Sequence, residues 1–328
     1  MKFKPTASLW AFSASLAGLL IAGVTPVNAS TKAYWRFETG PVNTDILSPA
    51  GGPNWSADVP DSSGSGNDLA VWDQGGNAGF QYRSSVPFTT VPQTGQANNF
   101  SAKNTGGGPA MWSASTALQT WAPSAWTIEM SFKPENGGYR TYVGRDSQGG
   151  VTANQALAGL YLQVQPDNSL AIKFGDVSGI WHEAISTAGT IVGFDWGSNP
   201  DGNGVPWYNV AAVSDGSLLS LYLDSGSGYQ LVAQDNMTLS GSANTALSPG
   251  AGDGGDWDAG NFTVGRGLYN GGHGDRGYGY IDEVRLTDGA LTPPEFLAAS
   301  VPEPTTISLA AVGLLGLMAA RRRMVARK

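Results

Sequence analysis

The feature that most constrains this chain is its rhythm: short runs of alternating apolar and polar residues, cut every few positions by glycine, proline, asparagine or aspartate. Such punctuation leaves no room for long helices, because glycine and proline both destabilise a helix interior. The clearest run is Trp126-Thr127-Ile128-Glu129-Met130-Ser131-Phe132-Lys133. It puts Trp126, Ile128, Met130 and Phe132 on one face and polar residues on the other, which predicts a half-buried strand. Further strands are predicted at 33–38, 69–72, 139–144, 160–164, 170–174, 207–213, 218–223, 262–265 and 278–286, with Asp167-Asn168 and Asp215-Gly216 as hairpin turns. Only Thr292-Pro293-Pro294-Glu295 reads as a helix start, with Thr292 as N-cap and Glu295 at the capping-box position. The pattern predicts an all-β domain made of two packed antiparallel sheets.

The two ends depart from this rhythm. Lys2 and Lys4 precede an apolar stretch over 8–24 and a small-residue Val27-Asn28-Ala29 site, which predicts a signal peptide over 1–29 and a mature start near Ser30. At the other end Val301-Pro302-Glu303-Pro304 interrupts the domain, 307–320 is apolar or small, and Arg321, Arg322, Arg323, Arg327 and Lys328 follow. A helix over 305–320 would span about 24 Å against a hydrocarbon core of about 30 Å, a gap that snorkelling arginines close. The basic end belongs in the cytoplasm and leaves the domain outside. The expected division is 1–29 signal, 30–300 domain, 301–328 membrane tail.

The Pro302-Glu303-Pro304 motif, apolar span and arginine cluster resemble the PEP-CTERM sorting signal of bacterial exported proteins. The resemblance implies an exosortase-type processing enzyme as partner, acting at or near that motif. It also implies an inner-membrane-anchored precursor destined for the cell surface or extracellular matrix.

Between residues 30 and 300 there are 11 Lys and Arg against 25 Asp and Glu, a net charge of −14. Such a surface repels phosphate backbones, so nucleic acid is excluded as a partner. The chain has no cysteine, so an exported domain must be held by its core alone, which 271 residues can provide.

Within the domain, Tyr34-Trp35-Arg36-Phe37-Glu38 is followed by Asp61-Ser62-Ser63-Gly64-Ser65-Gly66-Asn67-Asp68, the Trp126 run, Trp207-Tyr208-Asn209-Val210-Ala211 and Leu221-Tyr222-Leu223-Asp224. Phe262-Thr263-Val264-Gly265-Arg266 and Gly279-Tyr280-Ile281-Asp282-Glu283-Val284-Arg285-Leu286 complete the series. It resembles the laminin G-like jelly-roll domains of the concanavalin A-like lectin and glucanase superfamily, over nearly the whole mature chain. Asn209 stands where that family usually has histidine, and Gly/Pro-rich stretches at 40–60, 195–206 and 240–260 resemble insertions on the sandwich rim.

The catalytic inventory is thin. With no cysteine and only His182 and His273, cysteine-based or multi-histidine metal centres and cysteine nucleophiles are excluded. Neither histidine has sequence neighbours arguing for a Ser-His-Asp arrangement, and both read as solvated or loop residues. Glucanases of the superfamily carry alternating acids that share one strand face, a motif absent here. The adjacent Asp282 and Glu283 are expected on opposite faces.

Calcium is the expected cofactor, in a structural role. The resemblance places it at the chain ends, between Glu38, Asp61 and Asp282. Clustered carboxylates offer Asp253, Asp256 and Asp258 as an alternative, and the oxygen-rich loop of Asp195, Asn199, Asp201 and Asn203 as another. Of ten tryptophans between 30 and 300, Trp181, Trp196 and Trp257 lie beside loop-forming residues, where a flat ring can stack on a sugar. The expected function is a non-catalytic binding module for glycan or exopolysaccharide. A purely structural matrix protein or a divergent glycosidase are the alternatives. Deleting 307–328 is expected to release a soluble domain, and equal membrane retention of truncated and full-length chains in a fractionation assay would refute the sorting reading.

Overall fold

A computed structural model describes residues 29–46, 58–72, 79–106, 108–113, 115–146, 159–249, 260–269 and 272–300. The expected signal peptide and membrane tail fall outside them. Strands β1 (Ser30–Trp35), β2 (Ala70–Trp72), β3 (Phe80–Arg83), β4 (Ser101–Asn104), β5 (Ala110–Ser113) and β6 (Trp126–Pro134) come first, with one helical turn, α1 (Thr116–Gln119). The middle holds β7 (Arg140–Arg145), β8 (Leu160–Val164), β9 (Leu170–Gly175), β10 (Trp181–Ile185), β11 (Tyr208–Ser214), β12 (Leu218–Asp224) and β13 (Gln230–Asn236). Last are β14 (Phe262–Val264), β15 (Gly267–Tyr269), β16 (Gly272–Gly274) and β17 (Gly279–Asp288).

These strands form two antiparallel sheets packed face to face, as the alternating runs require. The larger has the order β13-β12-β11-β6-β17-β4-β3, with β1 also paired to β17; the smaller has the order β10-β9-β8-β7-β14-β5-β2. Their inner faces meet through aromatic pairs. Trp126 of β6 meets Phe174 of β9 edge to face at 5.3 Å, and Phe132 meets Tyr142 of β7 at 4.9 Å. Each such pair adds about 1 kcal/mol beyond its buried area. β15 and β16 pair only with each other in a small hairpin.

The sequence-predicted strands are present with ends shifted by a few residues, and the hairpins turn at Asp167-Asn168 and Asp215-Gly216 as expected. The Thr292 helix start yields a single 3₁₀ turn, Pro293–Glu295, in which the Glu295 carboxylate accepts from the Thr292 amide at 2.8 Å.

β6 differs from its half-buried expectation: every residue in it is buried. Its polar face is covered by the chain itself. The Thr127 hydroxyl donates to the Gly289 carbonyl at 2.8 Å, and Glu129 accepts from the Leu297 amide at 2.7 Å and from Arg285. Lys133 reaches the Gly202 carbonyl. Alternation reports which side chains share a face, not whether that face meets water.

β17 is the longest strand and carries a bulge. Asp282 lies opposite Ser131 and Arg285 opposite Glu129, so Glu283 and Val284 together face one residue of β6. Glu283 takes a φ of +49°, an uncommon conformation for any residue but glycine. The extra residue lets Ile281, Val284 and Leu286 all enter the core.

At the start of β17, Gly279 has φ +109°, and a Cβ there would stand 2.2 Å from the Lys133 carbonyl oxygen. Gly279→Ala is therefore expected to destabilise the domain by at least about 3 kcal/mol, through strain and a clash with backbone that cannot move aside. A thermal melt should fall by roughly 6 °C or more.

Candidate functional site

A cavity of about 380 Å³ opens on the outer face of the smaller sheet. Its position follows from alternation. Leu160, Leu162 and Val164 of β8 point into the core, which turns Tyr161 and Gln163 outward. Lys173 on β9 sits directly across from Tyr161, and Glu183 on β10 sits across from Lys173. Trp181 opens β10, where the stretch after Gly179 straightens. Its ring meets that of Tyr161 edge to face at 6.1 Å.

The wall of the cavity is the β15–β16 hairpin. The Tyr161 hydroxyl donates to the Leu268 carbonyl and pins the hairpin over the sheet. Gly267 must be a glycine here, because a Cβ would come within 2.9 Å of Thr141 and 3.0 Å of Tyr161. Tyr269 and Tyr139 stand exposed at the rim. Asp275 follows β16 with φ +49°, and its carbonyl accepts from the Thr141 amide at 2.9 Å. Burial pushes the Asp275 carboxyl up, while the Arg140 charge opposes it.

Polar groups line an otherwise aromatic cavity. Lys173 pairs with Glu183 at 3.1 Å. The Gln163 side chain is only 4% exposed; its oxygen accepts from the Thr141 hydroxyl at 3.3 Å, and its amide nitrogen has no partner among the described residues. Facing the cavity, this amide donor is free to take a ligand acceptor in place of water.

Of the sequence candidates for stacking, Trp181 lines this cavity and Trp196 does not. Trp196 is exposed on the loop covering the larger sheet, and Trp257 lies outside the described residues. Tyr161, Gln163, Lys173, Tyr269 and Asp275 were not legible as a site. The available signal was an outward face at 160–164 and 170–174 that carries tyrosine, glutamine and lysine.

The cation candidates are dispersed. Both Asp61 oxygens are occupied by a turn: they accept from the amides of Tyr34, Ser63 and Asn67 at 2.9 to 3.0 Å and from the Ser63 hydroxyl. Glu38 accepts from the amides of Asn99 and Phe100. Among the described residues no three His, Asp or Glu side chains group so as to hold a metal. Glu38, Asp61 and Asp282 are thus not brought together as a group, although the Glu38 charge reaches Asp282. Asp253, Asp256 and Asp258 lie outside the described residues. In the 195–203 loop the oxygens meet lysines: Lys103 pairs with Asp201 at 3.1 Å and also reaches the Pro200 carbonyl.

The bulge at Glu283 overturns the expected separation of Asp282 and Glu283. Both carboxyls lie buried on the same side of the sheet, beneath Ala97 and Asn98. Asp282 accepts from the Asn98 amide at 2.9 Å, and Glu283 accepts from the Tyr34 hydroxyl and from Arg36 at 3.1 Å. Burial raises both carboxyls; for Asp282 the Glu283 charge adds to it, whereas Tyr34 and Arg36 hold Glu283 back.

His182 is buried rather than solvated. Its Nε2 lies 2.9 Å from Asp176, and its Nδ1 lies 3.7 Å from Asp235 of β13. The Ser242 hydroxyl donates to Asp176, not to His182, so no nucleophile is linked to a base.

Comparison with known proteins agrees with the architecture. Residues 300–323 match the PEP-CTERM protein-sorting motif, which marks an exported precursor. No curated protein sequence matches the chain. Among solved structures, domain 4 of a GH43 extracellular arabinanase from Geobacillus stearothermophilus, in complex with arabinotriose, aligns at a TM-score of 0.50 and 16% identity, covering 83% of this chain and 98% of that one. The CBM40 of a Ruminococcus gnavus IT-sialidase, bound to α2,3 sialyllactose, aligns at 0.38 and 12% identity over 56% of this chain and 85% of that one. The binding domain of Botulinum neurotoxin serotype G aligns at 0.46 and 7% identity over 82% and 50%. At 16% identity the likeness to the arabinanase domain is one of fold.

The buried acids give a pH dependence with a defined sign. A carboxyl whose folded pKa is raised binds protons more tightly in the native state, so its contribution is present at low pH and lost as pH rises through the folded pKa. Asp282→Asn removes the buried charge beside Glu283, and Asn98 can turn its unpartnered oxygen to the new amide. The variant is expected to gain more in melting temperature at pH 7.5 than at pH 5. An equal or reversed difference would contradict the repulsion.

Proposed function

We propose that this protein is an exported, non-catalytic glycan-binding module, with its ligand in the cavity between β8, β9, β10 and the β15–β16 hairpin. The observation that carries the reading is the partnerless Gln163 amide beside the Tyr161 and Trp181 rings. Sugars present apolar C–H faces and a rim of hydroxyls, so sites for them combine a flat ring with a few fixed polar groups. A volume of about 380 Å³ lies near the lower end of the range for small-ligand cavities and suits one or two sugar rings. Arabinotriose in the similarly folded arabinanase domain supports a saccharide ligand.

The non-catalytic part follows from the acids. Hydrolysis of a glycosidic bond needs two carboxyls flanking it, about 5 to 9.5 Å apart. Asp275 is the one acid among the residues lining the cavity, and Glu183 on β10 pairs with Lys173. Asp282 and Glu283 are buried in the other sheet.

In this reading residues 1–29 direct export, 30–300 bind, and 301–328 anchor the precursor until an exosortase-type enzyme acts near Pro302-Glu303-Pro304. The module then serves at the cell surface or in extracellular polymer.

The test is affinity electrophoresis of the full-length chain, in a non-glycosidic detergent, through gels containing soluble polysaccharides. Retardation by at least one polysaccharide is expected, with Trp181→Ala weakening it at least tenfold while the melting temperature holds. Retardation indifferent to Trp181→Ala would move the site elsewhere, and release of reducing sugar would make the protein an enzyme.

A further inference from the structure

Resting on the reading of this cavity as a glycan site, we propose that it selects uncharged sugars. The selection is made by a fixed donor and acceptor, the Gln163 amide nitrogen and the Asp275 carboxylate, both positioned by Thr141.

Thr141 is fully buried on β7 and lies directly across from Gln163 on β8. Its two polar groups act in different directions. The hydroxyl donates to the Gln163 side-chain oxygen at 3.3 Å, which turns the amide nitrogen away from Thr141 as a donor. The backbone amide donates to the Asp275 carbonyl at 2.9 Å and fixes the residue whose carboxylate lines the cavity. One strand position thus sets both halves of the pair.

A sugar hydroxyl both donates and accepts, so neighbouring hydroxyls can donate to Asp275 and accept from Gln163 together. A uronate carboxylate only accepts. Set against Asp275 it is repelled and leaves an oxygen unpaired. The remaining charges do not offset this. Lys173 is held by Glu183 at 3.1 Å, and Arg140 lies within the field of Asp275 and stacks on Tyr278 at 4.7 Å. At longer range the −14 of residues 30–300 repels polyanions until salt screens it.

The experiment is titration calorimetry of the full-length chain in a non-glycosidic detergent. The probes are neutral gluco-, galacto-, manno- and arabino-oligosaccharides, set against oligogalacturonate of matched length. At least one neutral ligand is expected to bind ten or more times tighter than the uronate. Asp275→Asn, which asparagine tolerates at a φ of +49°, should weaken the neutral ligand about tenfold and narrow the ratio. Thr141→Val, which removes the hydroxyl that orients Gln163 but keeps the backbone amide that holds Asp275, should weaken the neutral ligand while leaving the ratio in place, with Thr141→Ser restoring the affinity, a rescue that a purely structural role would not show. Uronates binding as tightly as neutral ligands, or a ratio unmoved by Asp275→Asn, would overturn the selectivity and leave glycan binding standing. No binding by any saccharide would instead remove the glycan reading itself.

Discussion

Three ladders of the larger sheet run through β17. Its first half pairs with β4, its second half with β1, and its whole length with β6. Among the described strands no other touches three partners, so the register of β17 decides which residues of the sheet face inward. The bulge at Glu283 lies at the junction of its two halves. Were Glu283 to continue the strict alternation instead of bulging, Val284 and Leu286 would leave the core and Arg285 would enter it.

This arrangement explains why the two outer faces have different fates. The outer face of the larger sheet is occupied by the protein's own chain: Phe296 and Leu297 dock on it, the 195–203 loop meets Lys103 and Lys133, and Asn98 covers Asp282. Thr127, Glu129, Lys133 and Asp282 are consequently buried and paired inside the molecule. Among the described residues the smaller sheet is crossed only partly, by a hairpin that Tyr161 holds at one edge. The cavity lies where no described segment returns across the strands. It is thus a by-product of uneven coverage by those segments.

Much of the sandwich was legible because alternation and turn residues are local signals. The strands at 126–134, 160–164 and 218–224 announce themselves by period-two patterning. Ser101–Asn104 and Ala110–Ser113 do not: the first has only small or polar side chains, and the second sets Met111 and Trp112 side by side, so neither shows a period. The bulge was illegible for a different reason: left-handed backbone at a glutamate is imposed by the strands on either side, not favoured by the residue. The cavity needed tertiary information most of all. Its residues come from strands about a hundred positions apart, and Trp181 was noticed only through its loop-like neighbours although it begins a strand. His182 illustrates the same limit, because a lone histidine gives no hint that Asp176 and Asp235 will meet it in the fold.

The pairing of Ser30 with Asp288 brings the start of β1 beside the end of β17. A pull on the domain through a tail after residue 300 would first peel the short segment that docks Phe296 and Leu297. It would then reach β17 along its own axis. Hydrogen bonds of an antiparallel ladder lie perpendicular to the strand, so such a load shears the bonds to β6 and β1 together instead of unzipping them one at a time. The sheet therefore resists a load along β17 better than one that peels its strands apart.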